Sequence, residues 1–271
     1  MASFTGKPMK DVYKDLLHTD NSNTGLSTTI KQIKCGDGDS TALYLSNRNA
    51  KIQPSADSTT NTVIYDASGN ALVTVDSTND LVKAGIGQHV VNTQYKSFGL
   101  FDFTPVAGYH YPLIQSSMMQ SVSGDEYDSD VNATDWGGND VNPASTLNIS
   151  SASKEFIPGL WYLRSNITID EIDYVMASSA ASTVGLQLCW YTVVTGDGST
   201  AGNLSSRAVI AQTGSADDDI TPATTGADRI TTGTMTVSVG NVDSGKALAL
   251  FAESSDTDKM SVQVNIKYHL R

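Results

Sequence analysis

The chain has 271 residues, 39% of them hydrophobic and only 17% charged, and it is rich in Ser, Thr, Asn and Gly. That composition favours turn-dense β-structure over helix, and a formal net charge of −12 argues against binding the phosphate backbone of nucleic acid. The length allows one large domain or two smaller ones, and no apolar run has the length of a bilayer span or the position of a signal-peptide core, so membrane insertion is not expected.

Residues 7–18 predict the one helix. Met9, Val12, Tyr13, Leu16 and Leu17 recur at three- and four-residue spacing and form an apolar stripe, which ends at the turn-forming run Asp20-Asn21-Ser22-Asn23-Thr24-Gly25. Such a stripe packs on its own domain or docks on a partner. From Leu26 to Tyr95 the pattern changes to short strands. Thr29–Lys34 and Ala42–Leu45 flank Gly36-Asp37-Gly38-Asp39, and Val63–Tyr65 and Ala71–Val75 flank Asp66-Ala67-Ser68-Gly69-Asn70, so two hairpins are expected. Leu81-Val82 and Val90-Val91 are shorter pieces.

Large apolar residues are sparse in this part, and Phe4 is the only Phe or Trp before Phe98. A segment with so little to bury does not close a core alone. Several copies sharing one axial core would solve the problem, with Ile30, Ile33, Leu43, Leu45, Val73 and Val75 as the candidate core positions. A long arm draped over a second domain would give the same pattern. No Gly-x-y repeat, heptad run or solenoid period is present.

Between Ser97 and Leu113 the residues Phe98, Phe101, Phe103, Tyr109 and Tyr111 crowd together among Pro and Gly. They suggest either a buried junction between modules or a stacking platform for sugars. The boundary is placed here, giving an N-terminal segment 1–97 and a C-terminal domain 98–271. Residues 120–153 form a long acidic loop. Strands are then expected at 156–164, 167–177, 184–194 and 207–212, followed by three more between Ile230 and Arg271. In the last group Met235, Val237 and Val239 alternate with Thr and Ser, Ala247–Phe251 is apolar on both sides, and Val262, Val264, Ile266 and Tyr268 alternate with polar residues. Period-two patterning of this kind belongs to antiparallel strands with one face buried, and the doubly apolar run belongs to a strand in the middle of a sheet. About eight strands at this spacing fit a two-sheet sandwich of jelly-roll type.

Chemistry-bearing motifs are few. There is no Gly-x-Ser-x-Gly, His-Glu-x-x-His or phosphate-cradling Gly-x-x-x-x-Gly-Lys, and no catalytic residue is assigned. His18, His89, His110 and His269 each stand apart from any other His or Cys at metal spacing. Asp170, Glu171 and Asp173 fall on one predicted strand with no second carboxylate set against them, as a solvated strand edge would have. Asp128, Asp130, Asn132 and Asp135 carry oxygens at the positions that open a calcium loop, but Ala133 replaces the glycine and Asn139 the bidentate Glu. Trp136, Trp161, Trp190, Tyr109 and Tyr111 are the candidate stacking faces for a glycan. Cys35 and Cys189 are far apart, and Cys189 lies in an apolar run as a buried thiol would. No cofactor is implied.

The stretches Gly6-Lys7, Tyr13–Leu17, Asp20–Asn23, Gly36-Asp37-Gly38 and Ala42–Ser46, with Val75–Asn79, Val82–Gly85, Val242–Lys246 and the ending Ile266–Arg271, resemble those of structural proteins of tailed bacteriophages, marine ones in particular. The resemblance touches both ends and much of the middle but not the acidic loop. It implies a non-enzymatic virion component, a fibre-like appendage or a capsid decoration protein, that forms a homotrimer and is assembled in the host cytoplasm. Its partners would be a major capsid protein or a tail or adaptor protein. Two other function classes are left open: a receptor module that recognises host surface glycans and, ranked last because no carboxylate pair stands out, a glycan-cleaving spike.

Overall fold

The computed structural model describes residues 16–19, 25–115, 142–148, 159–179, 183–196, 202–213 and 229–271, and the elements they form are antiparallel β-strands with no α-helix. The chain divides into two compact units, Met1–Val91 and Asn92–Arg271. Most of the helix expected over 7–18 lies outside the described residues; its last residue, His18, belongs to a strand instead.

The first unit contains two four-stranded sheets, each running in chain order. One is built from β1 (His18–Thr19), β2 (Lys31–Lys34), β3 (Ser40–Leu45) and β4 (Ala50–Ile52). The other is built from β5 (Thr62–Tyr65), β6 (Ala71–Asp76), β7 (Leu81–Ala84) and β8 (His89–Val90). Both expected hairpins are present. Their turns need a residue in the left-handed region, supplied by Gly38 at φ 89° and Gly69 at φ 88°.

The second unit is a two-sheet sandwich. Its first sheet contains β9 (Thr93–Phe103), β11 (Ile114–Gln115), β14 (Ile167–Ser178), β17 (Arg229–Thr234), β19 (Asn241–Val242) and β21 (Met260–Leu270), in the order β11-β9-β21-β14-β17, with β19 also on β14. Its second contains β10 (His110–Pro112), β12 (Leu147–Asn148), β13 (Leu160–Tyr162), β15 (Val184–Val194), β16 (Asn203–Gln212), β18 (Thr236–Val237) and β20 (Lys246–Ser254). Here the order is β10-β20-β15-β16-β12, with β13 beside β20 and β18 beside β16.

The alternation read from the sequence decides what lies between the sheets. Val262, Val264 and Ile266 of β21, Ile172 and Met176 of β14 and Phe98 of β9 meet Leu186 and Leu188 of β15 and Leu248 and Leu250 of β20 in one buried cluster. The doubly apolar run on β20 is explained by a second cluster on the other face of its sheet. There Ala247, Ala249 and Phe251 pack with Cys189, Tyr191, Leu147 and Leu204.

Three sequence expectations change. The boundary drawn at 97/98 falls inside β9, because Thr93–Ser97 continue the ladder against Asn265–His269. The aromatic run serves the sandwich core: Phe98 and Tyr111 are buried in it, and Phe103 and Tyr109 pack against it, while Phe101 is 46% exposed. The strand expected around Met235–Val239 is broken in two. Up to Thr234 the chain pairs with β14, at Thr236–Val237 it pairs with β16, and at Asn241–Val242 it returns to β14, so it closes the open side of the sandwich by crossing between sheets. Met235 at the crossing is buried, whereas Val239 is exposed.

Two outcomes are expected. Removing residues 1–91 leaves a sandwich with an unchanged unfolding midpoint in chemical denaturation, whereas removing 1–97 strips the start of β9 and lowers that midpoint. Leu250→Ala, at a fully buried site, lowers the unfolding free energy by about 2–5 kcal/mol in the same measurement.

Candidate assembly surface

The first unit has a different balance of burial. Its buried residues, among those described, are Ile33, Ser46, Thr74 and Asp76, and three of these four are polar. Among the described residues, neither of the two buried apolar clusters includes a residue of this unit. The register shows why. Residues directly opposite on an antiparallel ladder project from the same face, so each sheet sorts its side chains into two sets.

In the first sheet Leu43 lies opposite Ile52, and Leu45 lies opposite both Lys31 and Ala50. Ile33, two positions on from Lys31, shares that face. The opposite face carries Gln32, Tyr44 and Lys51, with the Lys51 ammonium 4.5 Å from the centre of the Tyr44 ring. In the second sheet Ile64 and Ala84 lie opposite Val73, and Thr62 and Val82 lie opposite Val75. Its other face is mixed: it carries Thr74, Asp76 and Lys83, with Val63, Leu81 and Val90 directly opposite them and Leu72 two positions before Thr74. The polar groups on it hold side-chain hydrogen bonds. Thr74 Oγ1 donates to Gln88 Oε1 at 2.6 Å, and the Asp76 carboxylate accepts from the Asn79 backbone N–H, Asn79 Nδ2 and Lys83 Nζ at 3.0, 2.9 and 3.0 Å.

In the first sheet the polar side chains gather largely on one face, whereas in the second the face of Thr74 and Asp76 is mixed; in both, the face of Leu43 or Val73 is mostly apolar and carries exposed residues. Leu43 is 37% exposed, Ile52 57%, Ile64 56% and Val82 44%. Five of the six candidate core positions, Ile33, Leu43, Leu45, Val73 and Val75, fall on these two apolar faces. Ile30 precedes β2 and is half-buried outside the ladder. Sequence reasoning missed β4, because Ala50-Lys51-Ile52 is too short to register as a pattern.

The second unit brings together groups that the sequence left apart. The Asp170 carboxylate lies 2.9 Å from His269 Nδ1, made possible by a bulge in the β14–β21 register beside Asp170. His110 and Glu253, directly opposite on β10 and β20, approach to 3.3 Å in the interior. Sequence separations of 99 and 143 hide both pairs from any local motif search. Asp173 and Glu171 do lie on β14, and Glu171 faces Lys267 at 3.8 Å. Trp161 packs on Tyr268 with ring centres 4.8 Å apart. Trp190 lies under the Lys246 ammonium at 3.9 Å, and both indoles are half-buried against the core. Tyr111 takes the backbone N–H of Val106 on its hydroxyl. Cys189 is buried, and desolvation pushes its thiol up to about 12. Trp136 and the calcium candidates Asp128, Asp130, Asn132 and Asp135 lie outside the described residues.

No protein-family model matches the chain, and no curated protein sequence does.

The polar face predicts an acid response. Hydrogen bonds from Asn79, with the Lys83 ammonium in support, hold the Asp76 carboxyl below its ordinary 3.8, and those from Asn70 do the same for Asp66 in the hairpin turn. A carboxyl depressed on folding contributes stability that is complete above 3.8 and disappears as pH falls through its lower folded value. Limited proteolysis within 62–90 should therefore accelerate as pH drops below 3.8, and the Asp66→Asn/Asp76→Asn double variant should lose most of that pH dependence.

Proposed function

We propose that this chain is a non-enzymatic structural protein of a tailed-phage particle, a homotrimer on the outer surface whose N-terminal unit assembles and attaches while the C-terminal domain is displayed. It acts as a fibre-like appendage or a capsid decoration protein, with a capsid, tail or adaptor protein as its neighbour. The observation that carries this reading is the pair of uncovered apolar faces in the N-terminal unit. Burying apolar area is worth about 25 cal/mol per Å², so surfaces of this kind are kept where association covers them. Closed three-fold association covers them and also hides the sheet edges that otherwise invite open-ended pairing. The resemblance of the short motifs to phage structural proteins points the same way.

The C-terminal domain is read as a jelly roll. What supports this is its connection order: β9, β14, β17 and β21 belong to one sheet, and β10, β15, β16 and β20 to the other. In the first, β9 and β14 flank the last strand, β21; in the second, β10 and β15 flank β20. The chain changes sheet from β9 to β10, β14 to β15, β16 to β17 and β20 to β21, as two interleaved Greek keys would.

Two measurements test the proposal. Sedimentation equilibrium of the whole chain should give three times its 28.7 kDa mass. Peptides of this chain should be abundant in phage particles purified to homogeneity. A monomer at micromolar concentration, or particles without the chain, would contradict it.

A further inference from the structure

The two sheets of the N-terminal unit are copies of one building unit. Ser27-Thr28-Thr29 and Ser58-Thr59-Thr60 open the two copies, roughly thirty residues apart. In each, the serine Oγ accepts the N–H of the second threonine at 3.2 Å. Each serine carbonyl then accepts an N–H from the loop after the central strand, Asn47 at 2.9 Å and Ser77 at 3.0 Å. The hairpin turns match bond for bond. Cys35 N–H donates to Asp39 O and Gly38 N–H to Cys35 O, while Asp66 N–H donates to Asn70 O and Gly69 N–H to Asp66 O. A register irregularity follows Gln32 in one copy and Ile64 in the other. Past the central strand, Ser46 Oγ and Asp76 Oδ1 take the N–H groups of Asn49 and Asn79. Gln53 N–H to Ala42 O closes the first copy, and Gly85 N–H to Leu72 O closes the second.

In this alignment Ile33 corresponds to Ile64, Leu43 to Val73, Leu45 to Val75, Ala50 to Val82 and Ile52 to Ala84. The same face is apolar in both copies at every one of these positions. The opposite face keeps a lysine in both, Lys51 and Lys83. Two copies of a unit that cannot bury its own face are too few to close a core by stacking along one chain. A partner that covers both must present two matched apolar faces at the same spacing. Another copy of this chain does so.

We infer that the two repeats are equivalent assembly rungs: each puts its apolar face against the same repeat of sister chains, and the two rungs contribute comparable, separable shares of self-association. This rests on the self-association proposed above. The test uses the full chain in sedimentation equilibrium over a concentration series, with Leu43→Asp and Val73→Asp at matched positions and Tyr44→Ser on the polar face. Each aspartate variant is expected to weaken association by about tenfold or more, and the two to agree within about threefold. Tyr44→Ser should leave association unchanged. Deleting residues 27–57 joins Leu26 to Ser58 and removes one whole repeat, which avoids relying on a buried charge; this chain is expected to keep the copy number of the parent while dissociating at higher concentration. If one aspartate variant abolishes association and its counterpart leaves it unaltered, or if the deletion sediments as a monomer beside an associating parent, the equivalence of the rungs fails while self-association stands. A monomeric parent overturns both.

Discussion

A sheet with one apolar face has to put that face against something. This constraint divides the protein in two. In the sandwich the requirement is met internally, because β21 and β14 on one side and β20 and β15 on the other turn their apolar residues towards each other and bury them. In the N-terminal unit the described residues do not meet it: Leu43, Ile52, Ile64 and Val82 remain substantially exposed, while on the reverse face of the second sheet the buried Thr74 and Asp76 are held by Gln88, Asn79 and Lys83. The self-association proposed above would cover these exposed apolar residues.

The two parts are built by the same local rules. Turn residues, period-two alternation and hydrogen-bonding Ser, Thr and Asp side chains shape both. They differ in strand length and in the bulk of what is buried. Strands of nine to twelve residues carrying Phe98, Tyr191 and Phe251 can enclose a core. Strands of three to six residues whose apolar side chains are mostly Val, Ile and Leu make only thin sheets. In the self-association proposed above, stability in that part would depend on concentration as well as on sequence.

How much of this could be read from residues alone depended on strand length. β15, β20 and β21 are long enough for alternation, or its absence, to declare which faces are buried, and the doubly apolar Ala247–Phe251 did locate a strand in the middle of a sheet with packing on both sides. β9 was hidden because Phe98 and Phe101 are interrupted by Gly99 and resemble an aromatic cluster more than an alternating strand. The strand expected around Met235–Val239 has clean alternation, yet it crosses between sheets; periodicity fixes which side chains turn inward, not which neighbour supplies the hydrogen bonds. The His269–Asp170 and His110–Glu253 pairs depend on ladder register over long separations, which no local pattern encodes. The internal repeat escaped for another reason. Its matched positions conserve shape and hydrogen bonding through Ser46 against Asp76 and Leu45 against Val75, and the loop after the central strand is longer in the second copy, so the period drifts.

The most direct test of an apolar face completed by sister copies is amide hydrogen exchange followed on dilution. If copies cover one another, protection over residues 40–52 and 62–84 falls as the protein is diluted, while protection of β20 and β21 stays constant. Protection in the N-terminal unit that is independent of concentration would contradict the account.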